Sequence, residues 1–186
     1  MRMAIWLPAF VLVFLTVVAS AGESRMSAHQ FAFTSIDEEE TIELSSLAGK
    51  AVLVVNTASF CGFTRQYGGL ETLWRTYRDK GLVVLGVPSN DFGGQEPHSE
   101  TKIKEFCQGA FNVTFPLTKK YRVKGTDAHK FYRWVADSTA GEGSPRWNFH
   151  KVLLDGKGNL ARWFPSSVAP ESPLVKTAVE RALADL

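Results

Sequence analysis

Ala51-Val-Leu-Val-Val-Asn56 and, after an intervening segment, Leu82-Val-Val-Leu-Gly-Val87 are the stretches that decide the fold. Both are short, apolar and rich in valine, the pattern of strands covered on both faces. Between them Tyr67, Leu70, Leu73, Trp74 and Tyr77 fall at helical spacing, and Gly81 is placed to stop that helix. A strand, a helix and a strand of these lengths close as a right-handed βαβ unit with parallel strands.

Working outward, Gln30–Thr34 and Thr41–Leu44 alternate apolar and polar residues around a polar turn, which predicts a hairpin. Downstream, Ser99 is expected to cap a short helix with Ile103, Phe106 and Cys107 on its inner face. Asp127 is expected to start another, with Phe131, Trp134 and Val135 inward. Phe149–Leu154 and Asn159–Phe164 flank Asp155-Gly156-Lys157-Gly158, a second hairpin signal. Leu174, Val175, Ala178, Val179 and Ala182 mark a last helix. The order predicts an α/β, thioredoxin-like fold: an N-terminal β-hairpin, then a central mixed sheet flanked by helices.

The chain has 186 residues, with 21 Lys and Arg against 19 Asp and Glu. That length suits one domain, and a net charge of +2 gives no electrostatic reason to expect nucleic acid. Two cysteines exclude a disulfide-dense scaffold, and no C-x-x-C pair offers a zinc site. The histidines (His29, His98, His129, His150) lack metal-ligand spacing and read as surface or packing residues. Arg2, the apolar run Ala4–Ala19 and the small-x-small Ala19-Ser20-Ala21 read as a secretory signal peptide over residues 1–21. An uncleaved membrane anchor is the less favoured alternative, because a span needs about 20 apolar residues. The expected product is a secreted or periplasmic single domain over 22–186, where two cysteines can pair.

Cys61 follows the first buried strand and precedes the helix. Reactive groups collect at strand carboxyl ends in α/β sheets, and a helix N-terminus favours a thiolate. Position alone leaves open a small buried hydrophobe. The polar, Gly-containing loop Thr57-Ala-Ser-Phe-Cys61-Gly-Phe-Thr64 favours the reactive reading. A thioredoxin-type exchanger carries a second cysteine three residues on; here that position is Thr64. The loop can attack but cannot close its own disulfide, so a sulfenic acid is the expected first oxidised product.

Three blocks then carry a resemblance. Asn56-Thr-Ala-Ser-Phe-Cys61-Gly-Phe-Thr64, Leu85-Gly-Val-Pro-Ser-Asn-Asp-Phe-Gly-Gly-Gln95-Glu96-Pro97, and Trp147-Asn148-Phe149 followed by Lys151 resemble, in order, the active-site blocks of glutathione peroxidases. The similarity runs from about Phe31 to the last helix. It implies that Cys61 is the peroxidatic residue and that Gln95, Trp147 and Asn148 complete the site. Their neutral donors suit a developing thiolate and alkoxide. The context of Cys107 resembles the resolving cysteine of the cysteine-containing, thioredoxin-dependent branch; filling the helix's inner face is its plainer reading. The resemblance implies reduction of hydrogen peroxide and organic or lipid hydroperoxides through an intramolecular disulfide. A thioredoxin-like protein or glutathione would be the reductant, with no metal, flavin or haem. A non-catalytic thiol redox sensor that relays its disulfide to a partner is the alternative, and a static structural disulfide is another.

The sequence departs from the family pattern at Asp91, usually Gln, at Ser89, often Cys, and at Thr57, usually Val. Asp91 is expected to oppose thiolate formation if it lies close to the thiol. The short Ser138–Arg146 stretch, where the tetrameric branch carries a longer insert, implies a monomer or weak dimer. The basic run Lys119, Lys120, Arg122 and Lys124 reads as a solvated face.

Overall fold

The computed structural model describes residues 26–186. The expected signal peptide therefore lies outside the described residues. Strands β1 (Ala32–Thr34) and β2 (Thr41–Glu43) form the antiparallel N-terminal hairpin. It is shorter than the alternation predicts, because Ala28–Gln30 and Leu44–Leu47 tighten into 3-10 turns at its ends.

The central sheet holds β3 (Ala51–Thr57), β4 (Leu82–Pro88), β5 (Lys151–Leu154) and β6 (Leu160–Phe164) in the order β4-β3-β5-β6. β3 and β4 are parallel, and the β3–β5 and β5–β6 pairs are antiparallel. All residues of β3 and β4 are buried, as two-sided coverage requires. Ala51, Leu53 and Val55 pack into one core with α1 (Gln66–Tyr77), α2 (Glu100–Phe111) and α4 (Pro173–Ala184). Val52 and Val54 pack into a second core with the hairpin and α3 (Lys130–Ser138). The alternation along one strand thus builds both layers.

Several predicted boundaries move for identifiable reasons. α3 starts at Lys130 rather than at Asp127, because the His129 ring nitrogen accepts the Phe131 N–H and caps the helix. Asp127 instead lies outside the helix and faces Arg122 at 3.5 Å. Ser99 does occupy the N-cap position of α2, but its hydroxyl makes no capping hydrogen bond. Gly81 stops the α1 segment in a left-handed conformation, φ 101°, after a 3-10 turn. β5 starts two residues later than predicted, because Phe149 also adopts a positive φ, 63°. Among the described residues, no helix is long and apolar enough to cross a membrane.

Candidate active site

β3 delivers the first block to the carboxyl end of the parallel pair. Cys61 sits in the turn that follows, five residues before α1 begins, and is 8% exposed. Thr64, at the position where an exchanger would carry a second thiol, is a staple. Its hydroxyl accepts the Cys61 N–H at 3.0 Å and donates to the Ala58 carbonyl at 3.0 Å. The Phe63 N–H points at the Cys61 sulfur at 3.4 Å, a partner that survives deprotonation of the thiol.

The second block leaves β4 and turns back through Gly93 and Gly94, both at positive φ (68° and 62°), a conformation open to glycine at no steric cost. This brings the Gln95 carbonyl to the Phe60 N–H at 3.0 Å, one residue from Cys61. The third block enters between them. Asn148 is fully buried and donates its amide to Gln95 Oε1 at 2.9 Å. That bond fixes the Gln95 amide with its NH2 end free to donate. Asn56, at the end of β3, donates its side chain to the Trp147 carbonyl at 3.1 Å and accepts the Phe149 N–H. The positive φ of Phe149 is the backbone feature that lets Trp147 and Asn148 meet these partners. Trp147 is 40% exposed and packs at an angle on Phe92.

Gln95 and Asn148 are therefore in direct contact; a backbone hydrogen bond ties Gln95 to the Cys61 loop, and the Asn56 side chain holds the Trp147 carbonyl. Cys107 is elsewhere: on α2, fully buried, in the same apolar core as Cys61. Both cysteines are free thiols. Burial pushes the Cys107 thiol up to about 11, with the charge of Glu96 adding to it.

Asp91 is taken up by partners outside the cysteine loop. Its carboxylate accepts the Val123 and Lys124 N–H groups at 2.7 and 3.2 Å and faces Arg122 at 3.6 Å. The basic run is not a plain solvated face either. Lys119 meets Glu38, Lys120 donates to the Glu96 and His98 carbonyls, Arg122 meets Asp91 and Asp127, and Lys124 lies over the Phe92 ring. Of the histidines, His129 is the α3 cap, and His150 is buried in a stack on Trp163, where burial lowers it to about 4.

Sequence reasoning assigned no site role to four further polar residues that the structure buries. Lys151 is fully buried, donates to Gln66 Oε1 and the Phe149 carbonyl, and so braces the third block against the first turn of α1; burial lowers it to about 7. Glu71 reaches from α1 to the Thr114 N–H and hydroxyl and to Arg75. Tyr67 and Glu96 are fully buried beside Cys107 and the Cys61 loop. Glu96 and Lys151 stand inside the quoted blocks. Nothing in a polar, Gly-containing loop or at a strand start marks a charged side chain as buried.

Comparison with known proteins agrees with this geometry. The glutathione peroxidase family profile matches residues 28–136. Glutathione peroxidase-like peroxiredoxin 2 of Saccharomyces cerevisiae is 46% identical over 137 residues, 72% of this chain and 84% of that protein. The hydroperoxy fatty acid reductase of Synechocystis is 40% identical over 138 residues, 70% of this chain and 82% of that protein. The crystal structure of T. cruzi GPX1 superposes with a TM-score of 0.67 at 26% identity, covering 86% of this chain and 97% of that one. A thioredoxin-family thiol:disulfide interchange protein from Chlorobium tepidum shares the fold at a TM-score of 0.60 and 19% identity, covering 82% and 92%. With the thioredoxin-like fold, the three blocks and these relatives in agreement, the chain belongs to the glutathione peroxidase family.

Proposed function

We propose that this peroxidase reduces hydroperoxides at Cys61 and completes its cycle through a Cys61–Cys107 disulfide. The Cys61 thiolate attacks the distal peroxide oxygen, the O–O bond breaks, and the products are a sulfenic acid and, after protonation, water or an alcohol. Gln95, Trp147 and Asn148 donate hydrogen bonds to the charge that develops. The Cys107 thiol then displaces the sulfenic hydroxyl, and an external thiol reductant reopens the disulfide. The observation that carries this reading is the Asn148–Gln95 hydrogen bond, with Gln95 tied in turn to the residue before Cys61.

Phe60, 56% exposed, and Trp147 give the cysteine loop apolar flanks that suit organic and lipid hydroperoxides. The name of the Synechocystis relative supports the same substrate class. The reductant is a thioredoxin-like protein or glutathione. The apolar run Ala4–Ala19 and the Ala19-Ser20-Ala21 pattern support export to a secreted or periplasmic location. The short Ser138–Arg146 segment supports a monomer or weak dimer.

Peroxide turnover of the 22–186 chain with glutathione and with thioredoxin, measured side by side, tests the function. Cys61→Ser should abolish consumption, since a hydroxyl supplies no nucleophile at neutral pH. Cys107→Ser should keep one turnover, lose thioredoxin-driven cycling and accumulate oxidised Cys61. Undiminished cycling without Cys107 would leave it a packing residue.

A further inference from the structure

Lys151, the first residue of β5, is fully buried. Its Nζ donates to the Phe149 carbonyl at 2.7 Å and to Gln66 Oε1 at 2.6 Å. The Gln66 amide donates in turn to the Ser166 carbonyl at 2.7 Å, just past the end of β6. One amino group therefore joins the third block, the first turn of α1 and the segment after β6. No carboxylate balances it: the ion pairs among the described residues do not include Lys151. Burying a cation against neutral groups alone is costly, and an apolar side chain of the same length would fill the space without that cost. The lysine is kept for the bonds it makes.

We propose that Lys151 is a positioning residue for peroxide reduction, clamping the left-handed Phe149 so that Trp147 and Asn148 keep their places beside the Cys61 loop. The assignment rests on the reading above, in which Cys61 reacts with the peroxide and Trp147, Asn148 and Gln95 serve it as donors. Phe149 has a φ of 63°, a conformation that costs a bulky side chain energy and persists only where its surroundings fix it. Here they do so on every side. Its N–H donates to the Asn56 carbonyl at 2.6 Å, and its carbonyl accepts from Lys151 Nζ. Its ring is fully buried and meets the Tyr67 ring edge-on, with centroids 5.3 Å apart.

The clamp reaches the site through bonds of known length. Asn56 holds the block at two other points: its side chain donates to the Trp147 carbonyl at 3.1 Å, and its N–H donates to the His150 carbonyl at 3.3 Å. Lys151 takes the Phe149 carbonyl that lies between them in the chain. Without that bond the peptide after Phe149 is free to rotate, and the positive φ can relax. Any relaxation there swings Asn148, the preceding residue, whose amide donates to Gln95 Oε1 at 2.9 Å. The Gln95 carbonyl in turn accepts the Phe60 N–H at 3.0 Å, next to Cys61. The anchor at the other end is firm, because Gln66 belongs to α1 and is itself bonded to Ser166. Lys151 thus acts through Asn148 and Trp147, and its substitution should be felt as a change in their placement.

The test is stopped-flow reduction of hydrogen peroxide by the reduced protein in a single turnover, for wild type, Lys151→Met, Asn148→Ala and the double variant. Methionine nearly matches the lysine stem and removes both donated bonds. Lys151→Met should slow the peroxide step on the order of 10²-fold, the loss expected when a reacting group is displaced by about 1 Å. In the Asn148→Ala background the same change should cost about 10-fold or less, because a residue it positions is gone. Heteronuclear NMR supplies a second readout. The indole N–H peak of Trp147, identified by its loss in Trp147→Phe, and the side-chain amide peaks of Asn148 should move in Lys151→Met while the backbone peaks of α3 stay in place. A role in stability alone would lower the urea midpoint and leave those peaks where they are in the folded protein. Should Lys151→Met fail to fold, Gln66→Met decides: it keeps the lysine, frees Nζ from α1, and should slow the peroxide step and move the same peaks. A wild-type rate in folded Lys151→Met, an equal loss with and without Asn148, or, in place of a misfolded Lys151→Met, a wild-type rate in Gln66→Met would overturn the role of Lys151. A wild-type rate in Asn148→Ala would instead overturn the reading of Asn148 as a donor, and this assignment with it.

Discussion

Replacing Thr64 by valine puts a methyl group where the hydroxyl now staples the cysteine loop. Shape and volume are nearly conserved, but the polarity is not. The bond accepted from the Cys61 N–H at 3.0 Å disappears, and so does the single hydroxyl donation shared between the Ala58 carbonyl at 3.0 Å and the Ser59 carbonyl at 3.2 Å. At about 1 kcal/mol net for each bond, with about 1 kcal/mol more for an amide left buried and unpaired, the loss is about 3 kcal/mol. For a domain of this size that corresponds to a fall in Tm of about 6–12 °C. Urea unfolding should show a lower midpoint with an unchanged slope, because the surface exposed on unfolding is the same. Thr64→Ser retains the hydroxyl and should recover most of the loss. The peroxide step of Thr64→Val should also slow, because the freed Cys61 N–H no longer holds the turn that presents the sulfur. A Thr64→Val protein within about 0.5 kcal/mol of wild type would refute the reasoning, since it would mean that water satisfies both groups.

Trp147→Phe retains much of the ring that packs on Phe92 and removes the indole N–H; the peroxide step should fall about 10²-fold if that donor serves the transition state, and a wild-type rate would make Trp147 a packing residue. Burial raises the Glu71 carboxyl, but hydrogen bonds from Thr114 and Arg75 outweigh it and hold the group below its usual 4.5. Its contribution to stability is thus complete above pH 4.5 and is lost as pH falls through the lower folded value, so Glu71→Gln should flatten this part of the acid stability profile measured by urea unfolding. Cys107 lies on the buried face of α2, and a disulfide needs Cα atoms within about 4.4–6.8 Å of each other with correctly aimed side chains. Hydrogen exchange should therefore show residues 99–111 losing protection on oxidation, and identical exchange in both redox forms would favour a static disulfide.

The sequence alone determined the βαβ unit, because β3 and β4 are buried on both faces and only an unbroken apolar run meets that demand. It also determined the second hairpin and the helix between the parallel strands, where spacing and turn residues act over short range. Cys61, Gln95, Trp147 and Asn148 were named as candidates from their motif blocks, without the contacts between them. The tertiary structure decided those contacts. Asn148 meets Gln95 because a left-handed Phe149 and the Gly93-Gly94 turn bring two distant loops to one strand end. It also decided which polar groups are buried. Asp91, which the sequence placed near the site loop, is held by the amides of Val123 and Lys124, while Glu96 is fully buried in the core. Periodicity reports which face of an element is apolar, but burial of a loop carboxylate or a strand-start lysine depends on what packs over it. Those partners lie tens of positions away in the chain: Ser59, 37 residues from Glu96, and Gln66, 85 residues from Lys151.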